Sequence, residues 1–370
     1  MKPLTLMFKT LLIGFACCMN SRAEGPGEYP VRALPQWGKQ FKLQKGWLGG
    51  DGLYSVQLKS GKVLWFFGDS IFGEIKEGKR TKPIMVNNCV GTQDRPGGPA
   101  HFFTQEREGK KPGAFFSLKD SKSWFWPMAA FMAGDQLLVH LAEIEKTGGD
   151  GVFAFRQEGH YLARIQNPDA LPTDWNVEYL HFPHSRFEKN LTLFWGSAVV
   201  QTSDFYYHLG YRETKAIIGS KELVVSRVPI AKLVDFKSWE FYSGSGWSVN
   251  PVEAKPLCSG LASEFSVLKI SKEKGFLLVY TENGLGDRIV CRKAEALTGV
   301  WSKPEFLFQC PEMAKDKGVF CYSGKAHPWS LAGEKFVVTY CVNTWDFWRL
   351  FKDENVYLPH FLEVQIPKKK

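Results

Sequence analysis

The chain has 370 residues, 44% hydrophobic and 23% charged, with 35 Gly, 20 Pro and a formal charge of +9. That apolar share excludes disorder, the lack of a Gly-X-Y period excludes collagen, and no stretch beyond residue 20 is apolar for 18 residues, which excludes a transmembrane segment there. No basic stripe is interleaved with aromatics, so nucleic acid is not an expected partner, whereas acidic polysaccharide or an anionic envelope is compatible with the charge.

In chain order, the first segment reads as an export signal. Lys2 and Lys9 give a positive start, Leu11 to Met19 a short apolar core, and Ser21-Arg22-Ala23 a small-residue cleavage site. Residues 1–23 are therefore expected to be removed and 24–370 to form a single domain, secreted or periplasmic, with a charge of +6. A lipoprotein using Cys17 is the weaker alternative, because Gly14 and Phe15 fit that motif poorly.

Beyond the signal, helical periodicity is almost absent, and short apolar runs alternate with Gly, Pro, Asp and Ser turns. Five of these runs, KVLWFFGDS (62–70), DQLLVHLAEI (135–144), DFYYHLGYRE (204–213), GFLLVYTEN (275–283) and KFVVTYCVN (335–343), superpose with Asp69, Glu143, Tyr211, Tyr280 and Tyr340 at one equivalent position. The intervals are 74, 68, 69 and 60 residues. Upstream of four of them lie WFWPMAAF (124–131), LFWGSAVV (193–200), SEFSVL (263–268) and HPWSL (327–331), and downstream come Trp175, Trp239 and Trp301. Three markers on one period predict an all-β, five-bladed β-propeller of mostly four-stranded antiparallel blades. A β-sandwich is the rival architecture, and it would not require the repeat.

Six cysteines follow the signal: Cys89, Cys258, Cys291, Cys310, Cys321 and Cys341. No CxxC pair suggests zinc. In an oxidising compartment Cys310 and Cys321 are near enough in sequence to close a disulfide loop, and six buried thiols are the alternative.

In a propeller, the start of each first strand and the end of each second strand open on the same mouth. That rule gathers Asp51 (GGDG), Asp69 (FGDS), Glu143 (LAEI), Glu264 (ASEF), Lys325 and His327 (GKAHPW). Several carboxylates at one mouth are what glycoside hydrolysis needs: an acid for the leaving oxygen and a base or nucleophile opposite it. Trp47, Trp195, Tyr54, Tyr211 and Tyr280 are candidates to contact sugar. Each assignment has a bland rival. Asp in GDG or FGDS is commonly a turn former, and aromatic side chains on strands are commonly core. His181 and His184 (HFPH) have no carboxylate nearby in sequence to complete a metal site, and Asn190-Leu191-Thr192 is a glycosylation sequon only in a glycosylating host. No GxSxG, HExxH, P-loop or dinucleotide motif supports another enzyme class.

DGLYSVQL, KVLWFFGDSIFG and MVNNCVGTQ, with the later IVCRKAEALTGVWSKPEFLFQCPE and YSGKAHPWSL, resemble the family of domain of unknown function 4185, over about residues 40–366. The resemblance implies a five-bladed propeller, related to endo-D-arabinanases of glycoside hydrolase family 183 and sharing its fold with family 43. It matches Asp51 and Asp69 to the two acidic motifs of the first blade. Pro127 and Trp195 stand where family 43 pattern would call for acids, so that triad does not transfer. The expected function is an exported, monomeric glycosidase of the arabinanase or furanosidase kind acting on oligo- or polysaccharide. Asp51 is expected as base or nucleophile, Glu264 as general acid, Asp69 and Glu143 as orienting carboxylates, and Lys325, His327, Trp195, Trp47, Tyr211 and Tyr280 as substrate contacts. No cofactor is expected, though by analogy with family 43 a central divalent cation near His327 is possible. A non-catalytic glycan-binding scaffold is the alternative, and phosphorolysis would need more basic groups than Lys325 and Arg288 supply.

Overall fold

A computed structural model describes residues 29–107, 111–149, 154–214, 221–270 and 275–367. The expected signal and the terminal lysine run lie outside these residues.

Five antiparallel sheets of four or more strands follow one another along the chain. The first holds Tyr54–Gln57, Val63–Phe67, Cys89–Gln93 and His101–Phe103, and the second Trp124–Ala133, Gln136–Lys146, Phe155–Ile165 and Val177–His181. The third is built on Leu191–Gln201, Phe205–Glu213, Lys221–Pro229 and Glu240–Tyr242, with short extra strands at its edges. The fourth holds Phe265–Ile270, Gly275–Thr281, Arg288–Ala294 and Glu305–Gln309. The fifth runs Val319–Ala326, Lys335–Thr344 and Pro359–Gln365, and then takes the N-terminal strand Val31–Ala33, which pairs Val31 with Val364. The two ends of the chain thus share one sheet.

All five superposed runs are second strands of these sheets. A second strand has neighbours on both edges and sheets on both faces, so it reads as a continuous apolar run; Val63–Phe67 is buried throughout. Trp175, Trp239 and Trp301 each precede a fourth strand, and all three are at least nine-tenths buried. The HPWSL marker is a correction: Pro328–Ser330 is a 3-10 turn, and the fifth sheet's first strand is the preceding Val319–Ala326.

The first strands pack side by side, Tyr54–Gln57 on Trp124–Ala133, then Leu191–Gln201, then Phe265–Ile270, then Val319–Ala326. Separate hydrophobic clusters fill the gaps between successive sheets. A further cluster, around Phe41, Trp65, Phe67, Cys341 and Phe361, joins the fifth sheet back to the first. The fold is all-β and propeller-like, and this last cluster brings residues near position 51 against residues near position 322.

Two irregularities aim side chains at the centre. The first-to-second strand pairing slips between Pro127 and Ala130, between Trp195 and Ala198, and between Tyr322 and Lys325. Such bulges bend a strand and re-aim its side chains. An added three-stranded sheet, Lys45–Gly50, Ser70–Lys76 and Lys79–Val86, pairs Gly50 with Ser70 and so brings GGDG beside FGDS.

Candidate active site

Asp51 and Asp69 are fastened to each other through the backbone. Asp51 N donates to the Asp69 carbonyl (3.2 Å), and Gly68 N donates to the Asp51 carbonyl (2.9 Å). Glycine is required at this crossing. A Cβ on Gly68 would lie 2.6 Å from Asp51 Oδ1, and Gly52 has φ +84°, where L side chains are strained. The turn residues of GGDG and FGDS therefore serve the approach of two carboxyl groups.

Both acids, with Glu264, line a cleft of about 920 Å3. Asp51 Oδ2 accepts hydrogen bonds from Tyr322 (2.6 Å) and Tyr357 (2.9 Å). Asp69 Oδ1 accepts from Trp126 Nε1 (3.0 Å). Burial first, and then the charges of Asp69 and Glu264, push Asp51 up to about 8, against the pull of the two phenols. Burial pushes Asp69 up to about 6, against hydrogen bonds from Trp126 and Asn87.

Glu264 is held from the fifth sheet. Its Oε1 lies 2.8 Å from Ser323 Oγ and 3.4 Å from Lys325 Nζ. Ser323 stands in the bulge with φ +57°, which lets Tyr322 reach Asp51 while Lys325 reaches inward beside Glu264. Lys325 is not free to bind substrate as expected. It is 1% exposed, donates to the carbonyls of Gly52 and Ser323, and lies over the Tyr54 ring at 4.7 Å.

The other expected site residues divide sharply. Tyr211 lines the cleft and donates to Gln157 Oε1 (2.9 Å). Glu143 does not reach the cleft: Ala142 and Ile144 line it, and side-chain alternation turns Glu143 the other way, where Ser123 Oγ donates to it (2.6 Å). His327 is buried, with Nδ1 on Ser55 Oγ (2.6 Å) and Nε2 on Thr339 Oγ1 (2.9 Å); both ring nitrogens are occupied, and burial, then Lys325, pull it down to about 3. Trp47 stacks on Phe102 at 4.3 Å inside the core joining the fifth and first sheets. Trp195 is buried against Phe241, and Tyr280 is buried with its oxygen accepting from Arg292 Nε (2.8 Å). These three are core residues and not sugar platforms.

Cys310 and Cys321, the expected disulfide pair, lie side by side. Both are free and buried in the cluster between the fourth and fifth sheets, where burial first, and then the neighbouring Cys321, push the Cys310 thiol well up. Among the described residues no three of His, Cys, Asp and Glu gather as a cation site. His184, one of the two HFPH histidines, lies 2.7 Å from the Phe236 carbonyl through Nε2.

Tyr322, Tyr357 and Trp126, which hold the two aspartates, were not singled out from sequence. The phenols stand 271 and 306 residues from Asp51, and only closure of the ring makes them neighbours. Tyr322 lies in the YSGKAHPW segment, but nothing in that segment marks it as a partner for an acid.

Residues 35–366 match the family model described as Domain of unknown function (DUF5005). The chain belongs to that family. The DUF5005 match, and not the 4185 family of the sequence resemblance, is therefore the assignment. No curated protein matches the chain. Among solved structures, a candidate hydrolase from Bacteroides ovatus ATCC 8483 is similar at 18% identity and a TM-score of 0.74, over 94% of this chain and 93% of that one. An endo-arabinase from Bacteroides thetaiotaomicron VPI-5482 is similar at 12% identity and a TM-score of 0.50, over 87% of this chain and 95% of that one. At these identities the likeness carries the fold. In this DUF5005 chain the acids at the cleft must be argued from their own surroundings.

Proposed function

We propose that this protein is an exported glycoside hydrolase on a five-bladed propeller, with Asp51 as general acid and Asp69 as base or nucleophile. The observation that carries the reading is one pair of carboxyl groups, joined through the backbone, held by Tyr322, Tyr357 and Trp126, and open to one cleft. Burial raises Asp51 to about 8 and Asp69 to about 6, so the pair holds one proton near neutral pH, which we place on Asp51; that is the division of labour glycoside cleavage requires. Because the two charges interact, the values belong to the pair.

These roles differ from those expected from sequence: Asp51 becomes the acid instead of the base, Asp69 the base or nucleophile instead of an orienting carboxylate, and Glu264 a supporting charge instead of the general acid. Asp51 is raised by burial and by the charges of Asp69 and Glu264, and two phenols donate to its Oδ2, so its own proton sits on Oδ1. As the glycosidic C–O bond breaks, that proton passes to the leaving oxygen. Asp69 takes the proton of the attacking water or attacks the sugar carbon itself, and the net reaction adds one water. The Trp126 hydrogen bond fixes Asp69 in orientation. Glu264, held beside Ser323 and Lys325, adds negative charge that helps keep Asp51 protonated. Five sheets in ring order and the endo-arabinase among the similar structures favour a furanosidase or arabinanase.

The test is release of reducing sugar from arabinans, xylans and aryl glycosides by the wild-type protein and by Asp51→Asn. Activity in the wild type that falls by orders of magnitude in the variant supports the proposal. Glycan binding with no turnover of any substrate, or full activity in the variant, would overturn it, and the former outcome describes a binding scaffold.

A further inference from the structure

Asp69 does not stand at the end of a single pocket. A second depression of about 760 Å3 shares Asp69, Met85, Trp126, Phe155 and Phe347 with the main cleft as common walls. Asp51 and Glu264 line only the main cleft; the second depression leads away from them toward Ser117, Lys122 and Lys146. Each depression alone has the size that encloses a small ligand. One of these shared walls, the Trp126 indole, has its Nε1 fixed on Asp69. The second depression presents Ser117, Ser121, Lys122, Ser123 and Thr147, donors and acceptors suited to sugar hydroxyls.

An acid pair at a blind end admits only a chain terminus. Here Asp69 borders both depressions, so a chain bound in the main cleft meets a second depression adjoining it at Asp69. We infer that the substrate is a polysaccharide laid through both depressions, so that the bond cleaved lies inside the chain. This rests on the glycosidase reading above and adds the mode of attack, with the second depression as the subsite region on the far side of the cleaved bond.

The experiment follows the polysaccharide that the wild-type protein degrades. Viscosity should fall well ahead of reducing-end release, and early products should be oligosaccharides of mixed length. Ser117 and Lys122 are exposed, so Ser117→Trp and Lys122→Trp add bulk to the second depression without disturbing the core. Either variant should lower the ratio of polymer kcat/KM to aryl-glycoside kcat/KM at least tenfold, with thermal stability checked alongside. Release of one sugar or one disaccharide from chain ends from the first minutes would overturn the inference. So would a wild-type ratio in both variants. Absence of wild-type turnover on every polymer and aryl glycoside would instead remove the glycosidase reading, and this inference with it.

Discussion

Two clusters of buried titratable groups differ in what they face. Asp51 and Asp69 line a cleft, and burial raises both. His140, His160 and His208 are fully buried in the space between the second and third sheets. There His140 Nδ1 meets His160 Nε2 (2.8 Å), His140 Nε2 meets His208 Nδ1 (2.9 Å), and His160 Nδ1 meets Ser185 Oγ (2.8 Å). Burial pulls His140 down to about 3 and the other two well below the usual imidazole range, so all three are neutral. Phe182 and Trp239 close over the rings at centroid distances of 4.5 and 4.3 Å. A displaced pKa is therefore no sign of chemistry by itself. Burial displaces both clusters, and only the one open to a cavity is placed to exchange protons with a substrate.

The comparison is sharpest in the variants that abolish one cluster and spare the other. Asp51→Asn and Asp69→Asn should each cut kcat by about a thousandfold or more on whichever glycan is turned over, with circular dichroism unchanged, since neither removes much volume. Lys325→Met should act mainly on stability. It leaves Glu264 facing Asp51 without its cation, at a cost near the lower end of the roughly 3–5 kcal/mol seen when a buried pair is broken; chemical denaturation measures it. His140→Ala should cost about 2–4 kcal/mol through the cavity and the two orphaned imidazoles. Its kcat per folded molecule should stay near wild type, and a large loss of kcat in folded His140→Ala would break the contrast.

A further effect is a pH dependence of stability. Asp51 has a folded value of about 8 against an ordinary 3.8, so the stability it contributes is complete below about pH 4 and is lost as pH rises through 8. Asp69 acts in the same sense up to about 6. Asp51→Asn removes the larger share, so melting temperatures of variant and wild type should converge at pH 4 and separate at pH 8 to 9, with the variant higher. Equal separation at both ends would show that Asp51 is not the raised group.

The sheets were readable from sequence because second strands carry an unbroken apolar signature, as in Val63–Phe67, and because Trp175, Trp239 and Trp301 mark the approach to fourth strands. Asp51, Asp69 and Glu264 could be gathered because the starts of first strands and the ends of second strands open on one mouth, and all three line one cleft. Trp47, Trp195 and Tyr280 could not be sorted the same way, since a ring that packs in a core and a ring that meets a sugar are the same residue on the same strand. Glu143 was misplaced by one step of the pleat. Lys325 and His327 lie close to the site in sequence, yet one spends its ammonium on backbone carbonyls and the other both ring nitrogens on hydroxyls. Tyr322 and Tyr357 were invisible because ring closure, not local pattern, brings them to Asp51.

The central claim is that Asp51 carries a proton at neutral pH while Asp69 does not. Carbon NMR of protein labelled at the aspartate carboxyl carbons, titrated from pH 4 to 10 and assigned with Asp51→Asn and Asp69→Asn, measures this directly. The account predicts a pair titrating near 6 and near 8, with the upper step absent from Asp51→Asn. Both carboxyl groups ionised by about pH 5, as ordinary aspartates are, would contradict it.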